Sequence, residues 1–282
     1  MIMPFNWSEK TYVMGIVNIT HDSFSGDGVF KKPLTDIIKQ VKQFVSWGAD
    51  IIDIGGESTR PGSTLISTDD ELNRVIPVIK AIKAEINVPI SIDTYKSKVA
   101  REALNAGANW VNDVWGLRMD PNMADVVAEA SCPIIIMHNR SKPKDVSQQD
   151  QLGGRYVDVE YDNLIEEIQE DLLVSINLAL SKGVDKNNII IDPGIGFGKT
   201  VEQNLQIINN LNKFQSMGFP ILLGSSRKSF IGYTLDLSPN ERIEGTAASI
   251  SIGIQNGANI VRVHDVKFMS RIARMTDAII RS

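Results

Sequence analysis

Eight short apolar runs in this sequence each lead to a polar or ionisable side chain. In order these are Asn18, Asp53, Asp93, Asn112, His138, Asp192, the run Ser225-Ser226-Arg227-Lys228-Ser229, and Arg262 with His264. Branched aliphatic runs are the material of buried parallel strands, and an acid that closes one is delivered into a pocket. Asp93, Asn112 and Asp192 offer acceptors and one amide, the complement of a flat nitrogen heterocycle rich in N–H donors. Arg262 and His264 stand two apart on one run and face the same way; with Asn18 and Lys228 they suit an anion or a metal-bound phosphate. A ligand with a heterocyclic head and a phosphate tail satisfies both groups.

Several other chemistries fail on the letters. The glycine loop in IIIDPGIGFGKT (residues 189–200) has Pro193 where a Walker loop needs its first glycine, and Lys199 where a dinucleotide fingerprint needs its third. Three histidines without HExxH or paired cysteines argue against a protein-caged zinc, so any metal is Mg2+ held mainly by substrate phosphates and a few protein oxygens. No GxSxG elbow surrounds Ser225, Ser226 or Ser229. Lys228 suits either a Schiff base or an anion contact.

The elements that must position these residues follow from periodicity. Strands are predicted near 12–18, 51–54, 89–93, 109–112, 133–137, 189–192, 220–223 and 259–263, with amphipathic helices between them. Thr68 and Glu71 form a capping-box pattern, Ser238, Pro239 and Glu241 a second helix start, and Tyr161 heads the apolar face of a long helix. Helix-ending glycines recur at Gly48, Gly107, Gly183 and Gly257. About eight strands alternating with about eight helices is the tally of a single-domain (β/α)8 TIM barrel over 1–282, its motif-bearing core about 12–280; a doubly wound open sheet is the alternative. Barrel chemistry sits at the C-terminal strand ends, where the polar residues fall. Loops 19–32 and 55–67 lie at the strand ends, and a polar insertion, 139 to about 156, is expected over the surface or the site mouth.

Composition narrows the partners. The chain has 282 residues, 43% hydrophobic and 22% charged, enough for a large core. A net charge of −5 without a long basic run speaks against nucleic acid. No apolar stretch approaches the roughly 20 residues of a membrane span and MIMPFNWSEK has no secretion signature, so a soluble, cytoplasmic protein is expected. The single cysteine, Cys132, excludes a disulfide within one chain.

The segments MGIVNITHDSFSGDG, DIGGESTRPG, SIDTYKSKVA, WVND, IIDPGIGFGKT, SSRKSFIG and VRVHDV, in this order across about residues 13–268, resemble the motif series of the dihydropteroate synthase family of folate biosynthesis. The resemblance implies a transferase that joins 6-hydroxymethyl-7,8-dihydropterin diphosphate to p-aminobenzoate and releases diphosphate, with Mg2+ as cofactor. It implies a pterin pocket of Asp93, Asn112, Met137, Asp192, Phe197, Lys228 and Arg262. Phe24, Thr59, Arg60, Pro61 and Ser229 would receive p-aminobenzoate. Asn18, Thr59, Arg262 and His264 would hold the diphosphate, Asn18 also touching the metal, and Asp93, Asp22, Arg262 and Lys228 would be catalytic. A homodimer through the last helices is implied as well. This sequence has His21 where the family pattern has proline, and Ser25-Gly26-Asp27-Gly28 where it has Ser-Asp-Gly-Gly. The competing readings are a pterin-binding methyltransferase that acts on a methyl-folate and a corrinoid partner, and a non-catalytic pterin or phosphate binder.

Overall fold

The computed structural model describes residues 5–20, 33–59, 63–142, 145–149 and 151–282. Eight parallel strands, β1 (Tyr12–Asn18), β2 (Ile51–Gly55), β3 (Ile90–Asp93), β4 (Trp110–Asp113), β5 (Ile134–Met137), β6 (Ile189–Asp192), β7 (Leu222–Leu223) and β8 (Ile260–Val263), form one sheet. Its order is β6-β5-β4-β3-β2-β1-β8-β7, and a parallel bridge between Ile191 and Ile221 joins the two ends into a ring. The helices are α1 (Leu34–Ser46), α2 (Thr68–Glu85), α3 (Ser97–Ala106), α4 (Met123–Ala130), α5 (Leu164–Ser181), α6 (Val201–Asn209), α7 (Ser229–Leu235), α8 (Ile243–Gln255) and α9 (Val266–Ile280). This is the expected barrel. Two helices, α7 and α8, follow β7.

Period-two alternation explains where the core and the polar residues go. One set of strand side chains, including Val13, Val17, Ile52, Ile54, Ile90, Ile92, Val111, Ile134, Ile136, Ile189, Ile191, Val261 and Val263, packs outward against the helices in the main core. The other set forms a separate interior cluster of Tyr12, Met14, Ile51, Trp110, Ile135, Ile190, Leu222 and Ile260. Phe5 meets Tyr12 edge-on at 4.5 Å and Trp110 edge-on at 5.1 Å, so an aromatic plug seals the N-terminal end. Two residues further along the same strands the interior set turns polar: Asp53 after Ile51, Asn112 after Trp110, Asp192 after Ile190, Arg262 after Ile260. An apolar floor thus carries a polar layer, open toward the C-terminal mouth.

Three local expectations need correction. α2 is capped by Ser67, whose Oγ accepts from the Asp70 backbone N–H at 3.1 Å, and not by Thr68. Glu71 is instead drawn inward, because Lys96 pairs with it at 2.7 Å. Ser238, Pro239 and Glu241 open only a 3-10 turn, with the Ser238 hydroxyl on the Glu241 carboxylate, and the α-helix begins at Ile243. Tyr161 precedes α5 and donates its hydroxyl to the Gly198 carbonyl at 3.0 Å. The 139–156 insertion contains an antiparallel pair, Val146–Ser147 with Arg155–Tyr156, and packs toward the mouth with Arg155 over the Tyr233 ring of α7 at 4.4 Å. No helix among the described residues is long and apolar enough to cross a membrane.

Candidate active site

The polar layer is built around one arginine. Arg262 Nε donates to Asp53 Oδ2 at 2.6 Å and Nη2 donates to Asp93 Oδ2 at 2.6 Å, while Asn112 Nδ2 donates to Asp53 Oδ2 at 3.3 Å. The remaining oxygens, Asp53 Oδ1 and Asp93 Oδ1, are buried and have no hydrogen-bond partner among the described residues. Such acceptors are rare in proteins and mark a place for an incoming donor. Burial pushes the Asp93 carboxyl up to about 7, with Asp53 adding to the rise and Arg262 opposing it. The expectation that Arg262 joins His264 as a free anion contact is modified: its guanidinium is turned inward onto two carboxylates.

Across the barrel β6 delivers Asp192, whose Oδ1 accepts from the Gly194 backbone N–H at 2.7 Å. Burial raises its pKa, and Lys228 is the largest opposing influence. The Lys228 ammonium lies 4.7 Å from the centre of the Phe197 ring and donates to the Ile195 carbonyl. Burial lowers Lys228 to about 8. Met137 is paired with Asp192 in the sheet register and is buried beside it. Asp93, Asn112, Met137, Asp192, Phe197, Lys228 and Arg262 are therefore brought to one end of one barrel.

At the rim, His264 stands one residue past β8, and both its backbone N–H and its Nδ1 lie near Ser226 Oγ, at 3.2 and 3.1 Å. Asn18 ends β1 beside Gly55 and Asp93: a Cβ on Gly55 would be in ordinary contact with Asp93 Cβ at 3.6 Å and with Asn18 Oδ1 and Asp93 Oδ2 at 3.7 Å. The turn that carries Lys228 and Ser229 is set by Arg227, in the left-handed region at φ 56° and forked onto Asp265 by bonds of 2.8 and 2.6 Å. Buried Arg242 ties that turn to the insertion, donating to the carbonyls of Arg227 at 3.1 Å and Leu152 at 2.8 Å. Thr59 is half-buried in the loop after β2. Asp22, Phe24, Arg60 and Pro61, with His21, lie outside the described residues. Among the described residues no group of three His, Cys, Asp or Glu is placed to hold a metal ion.

The chain as a whole is similar to known proteins. A family profile described as "Pterin binding enzyme" matches residues 14–264. Dihydropteroate synthase of Clostridium beijerinckii is 51% identical over 98% of this chain and 97% of its own length, and that of Bacillus subtilis 49% identical over 98% and 90%. The chain belongs to the dihydropteroate synthase family. Among solved structures of this family, the enzyme from Clostridium difficile, determined in the presence of pteroic acid, superposes with a TM-score of 0.88 at 50% identity, covering 99% of this chain and all of that one. The Yersinia pestis enzyme with a sulfonamide drug superposes with a TM-score of 0.90 at 36% identity, covering 99% and 97%.

Two constellations in this member of the dihydropteroate synthase family depend on partners distant in the sequence. Lys96 Nζ bonds Glu57 at 2.6 Å, Glu71 at 2.7 Å and the Ile66 carbonyl at 2.9 Å, and so ties together both ends of the loop that bears Thr59. Asp53, which reads as a strand end, lies two residues deeper because β2 continues to Gly55, in register with Asp93. Only the pairing with Arg262 reveals its place in the site.

Proposed function

We propose that the chain condenses 6-hydroxymethyl-7,8-dihydropterin diphosphate with p-aminobenzoate to give 7,8-dihydropteroate and diphosphate. The observation that carries this reading is the convergence of unpartnered, buried carboxylate oxygen with Asn112, Asp192 and Lys228 at one mouth, below a separate rim of Asn18 and His264. Asp192 and Asn112 take the N–H edge of the pterin, Met137 and Phe197 wall its faces, and Lys228 contributes a donor. Arg262, held through Nε by Asp53 and through Nη2 by Asp93, covers the ring and leaves Nη1 to reach toward the diphosphate beside His264.

In the reaction the bond from the pterin methylene to the diphosphate oxygen breaks, and that oxygen keeps the electron pair. The cation left behind is delocalised into the ring, where the Asp93 carboxylate stabilises it. The neutral arylamine nitrogen then forms the new C–N bond, and its surplus proton leaves to solvent. Ser229 and Thr59 receive the aminobenzoate, with Phe24, Arg60, Pro61 and Asp22 assigned to the same closure by resemblance alone; closure excludes water that would capture the cation.

Mg2+ belongs to this reading. The donor set fits a cation that arrives with its own oxygens: Asn18 Oδ1 stands at the end of β1 near the Asp93 carboxylate, and no protein cage stands among the described residues. When bound, Mg2+ neutralises charge on the diphosphate. We also assign a homodimer, supported by exposed Ile252 on α8 and Phe268, Met275, Ile279 and Ile280 on α9, and a cytoplasmic location. The deciding experiment mixes both substrates with the protein and follows diphosphate and dihydropteroate together. Pterin binding without either product would leave a binder, and methyl transfer from a methyl-folate to a corrinoid would replace the assignment.

A further inference from the structure

Under the turn that follows β6 runs a chain of titratable groups that no step above uses. His138, one residue past β5, is fully buried at its side chain and lies between two partners. Its Nδ1 is 2.8 Å from Lys199 Nζ and its Nε2 is 3.1 Å from Asp171 Oδ2, on α5. Lys199, 2% exposed, also donates to the Phe197 carbonyl at 3.0 Å. Asp171 is held in turn by Arg140 Nε at 2.7 Å, and Arg140 Nη1 reaches Glu167 at 2.6 Å.

The roles in this chain are fixed by chemistry. A lysine nitrogen beside an imidazole donates, so Nδ1 accepts, and the remaining ring proton on Nε2 points at Asp171. Burial and the neighbouring Lys199 hold the His138 imidazole neutral, with its pKa pushed down to about 3. Lys199 needs only two N–H bonds for its two acceptors, which an ammonium and a neutral amine both possess.

The turn is wrapped tightly onto these groups. Gly194 adopts φ +74°, and a Cβ there would stand 1.8 Å from the His138 carbonyl oxygen and 3.2 Å from Lys199 Nζ. Burying a lysine is expensive, and an aliphatic side chain would fill the same space without that cost. Its hydrogen bonds are the property that an aliphatic side chain lacks, and one of them ends on the backbone of Phe197.

We propose that Lys199, oriented by His138 and Asp171, is a positioning residue that pins the Phe197 carbonyl and thereby sets the Phe197 ring and the Asp192 turn against the pterin. The role of the pinned wall rests on the function proposed above. Lys199→Met removes both donors and keeps most of the apolar stem. Losing one buried hydrogen bond that shapes the pocket raises the Kd for the pterin diphosphate about tenfold, whereas the aminobenzoate KM at saturating pterin stays within about twofold. Backbone hydrogen exchange in ligand-free protein accelerates over 193–200 and not elsewhere. Asp171→Leu reproduces the loss of pterin affinity, while Asp171→Asn, which still accepts from Nε2, restores binding to within about threefold of the unmodified chain.

Unchanged exchange over 193–200 in Lys199→Met overturns the proposal, and so does unchanged pterin affinity in an active protein. Equal losses for both substrates with accelerated exchange throughout the barrel overturn it too, in favour of general destabilisation. If Lys199→Met does not fold, the Asp171 pair decides by the same readouts. An unmodified chain that neither binds the pterin diphosphate nor forms dihydropteroate overturns the functional reading instead, and exchange in the ligand-free variants still tests the pinning.

Discussion

Replacing Asp53 by asparagine tests the arginine-centred layer most sharply, because it changes one charge and almost no volume. Asp53 and Asp93 each bind one nitrogen of the same guanidinium at 2.6 Å. Two carboxylates so placed stand within about 6 Å, and at an effective dielectric near 20 each adds about 3 kcal/mol to the cost of ionising the other before relaxation, equivalent to about two pH units. Arg262, committed to Asp93 alone, favours its ionised form in the same direction, so a downward move of about two pH units is expected. In the reaction proposed above Asp93 acts ionised, stabilising the pterin cation, and in the free protein it takes up its proton near 7. Since kcat/KM reports the free enzyme, it rises with pH through about 7 in the unmodified chain and at lower pH in Asp53→Asn. The basic limb near 8, where Lys228 loses its proton, stays in place. The plateau falls about 5- to 30-fold, since Arg262 Nε exchanges a charged acceptor for an amide oxygen, a loss of about 1–2 kcal/mol. The assay is kcat/KM for the pterin substrate from pH 5 to 9. An acid limb that stays near 7 or moves up in the variant refutes the coupling of the two carboxylates.

Three further outcomes follow from the same geometry. Asp192→Asn weakens pterin binding by about 2–4 kcal/mol, because an amide presents a donor to a donor; calorimetry giving unaltered affinity removes Asp192 from the pterin edge. His264→Ala harms binding of the diphosphate substrate far more than that of the bare hydroxymethyl pterin, and equal losses would make the residue structural. Lys96→Met leaves Glu57 and Glu71 buried without their shared cation, a loss of about 3–5 kcal/mol in urea unfolding at pH 7.5. Burial already raises the Glu71 pKa, and loss of Lys96 raises it further, so protonation relieves the variant and its deficit shrinks at pH 5.5; an equal deficit at both pH values refutes the pairing.

Much of the architecture was legible in the sequence for a simple reason: its signals are local. Strands 12–18 and 189–192 have the limits that periodicity predicts, and the polar ends of the strands fall at the mouth where barrel topology puts them. Three features were not legible, and each depends on a distant partner. Ser67 and Thr68 present overlapping cap patterns one residue apart, and the choice is made when Lys96, 25 residues beyond Glu71, claims that glutamate for the interior. Gly55 and Gly56 look like a stop after Ile54, yet Gly55 pairs with Asp93 and sinks Asp53 one layer. His138 and Lys199 are 61 residues apart, and neither has a neighbour that hints at the other.

The ring of strands is unevenly fastened. Between β6 and β7 it is joined by one bridge, at Ile191 and Ile221, and β7 itself has only two residues. Where backbone hydrogen bonds are few, opening is easiest. Asp192 stands on one side of this joint, and Lys228 follows on the other. A molecule gripped by both is therefore a rivet across the weakest stave of the cask, supplying from outside the chain a fastening that the peptide groups leave out. Stiffness is on loan from the cargo: the filled barrel is a tauter hoop than the empty one, and the gain in resistance to unfolding concentrates at that joint.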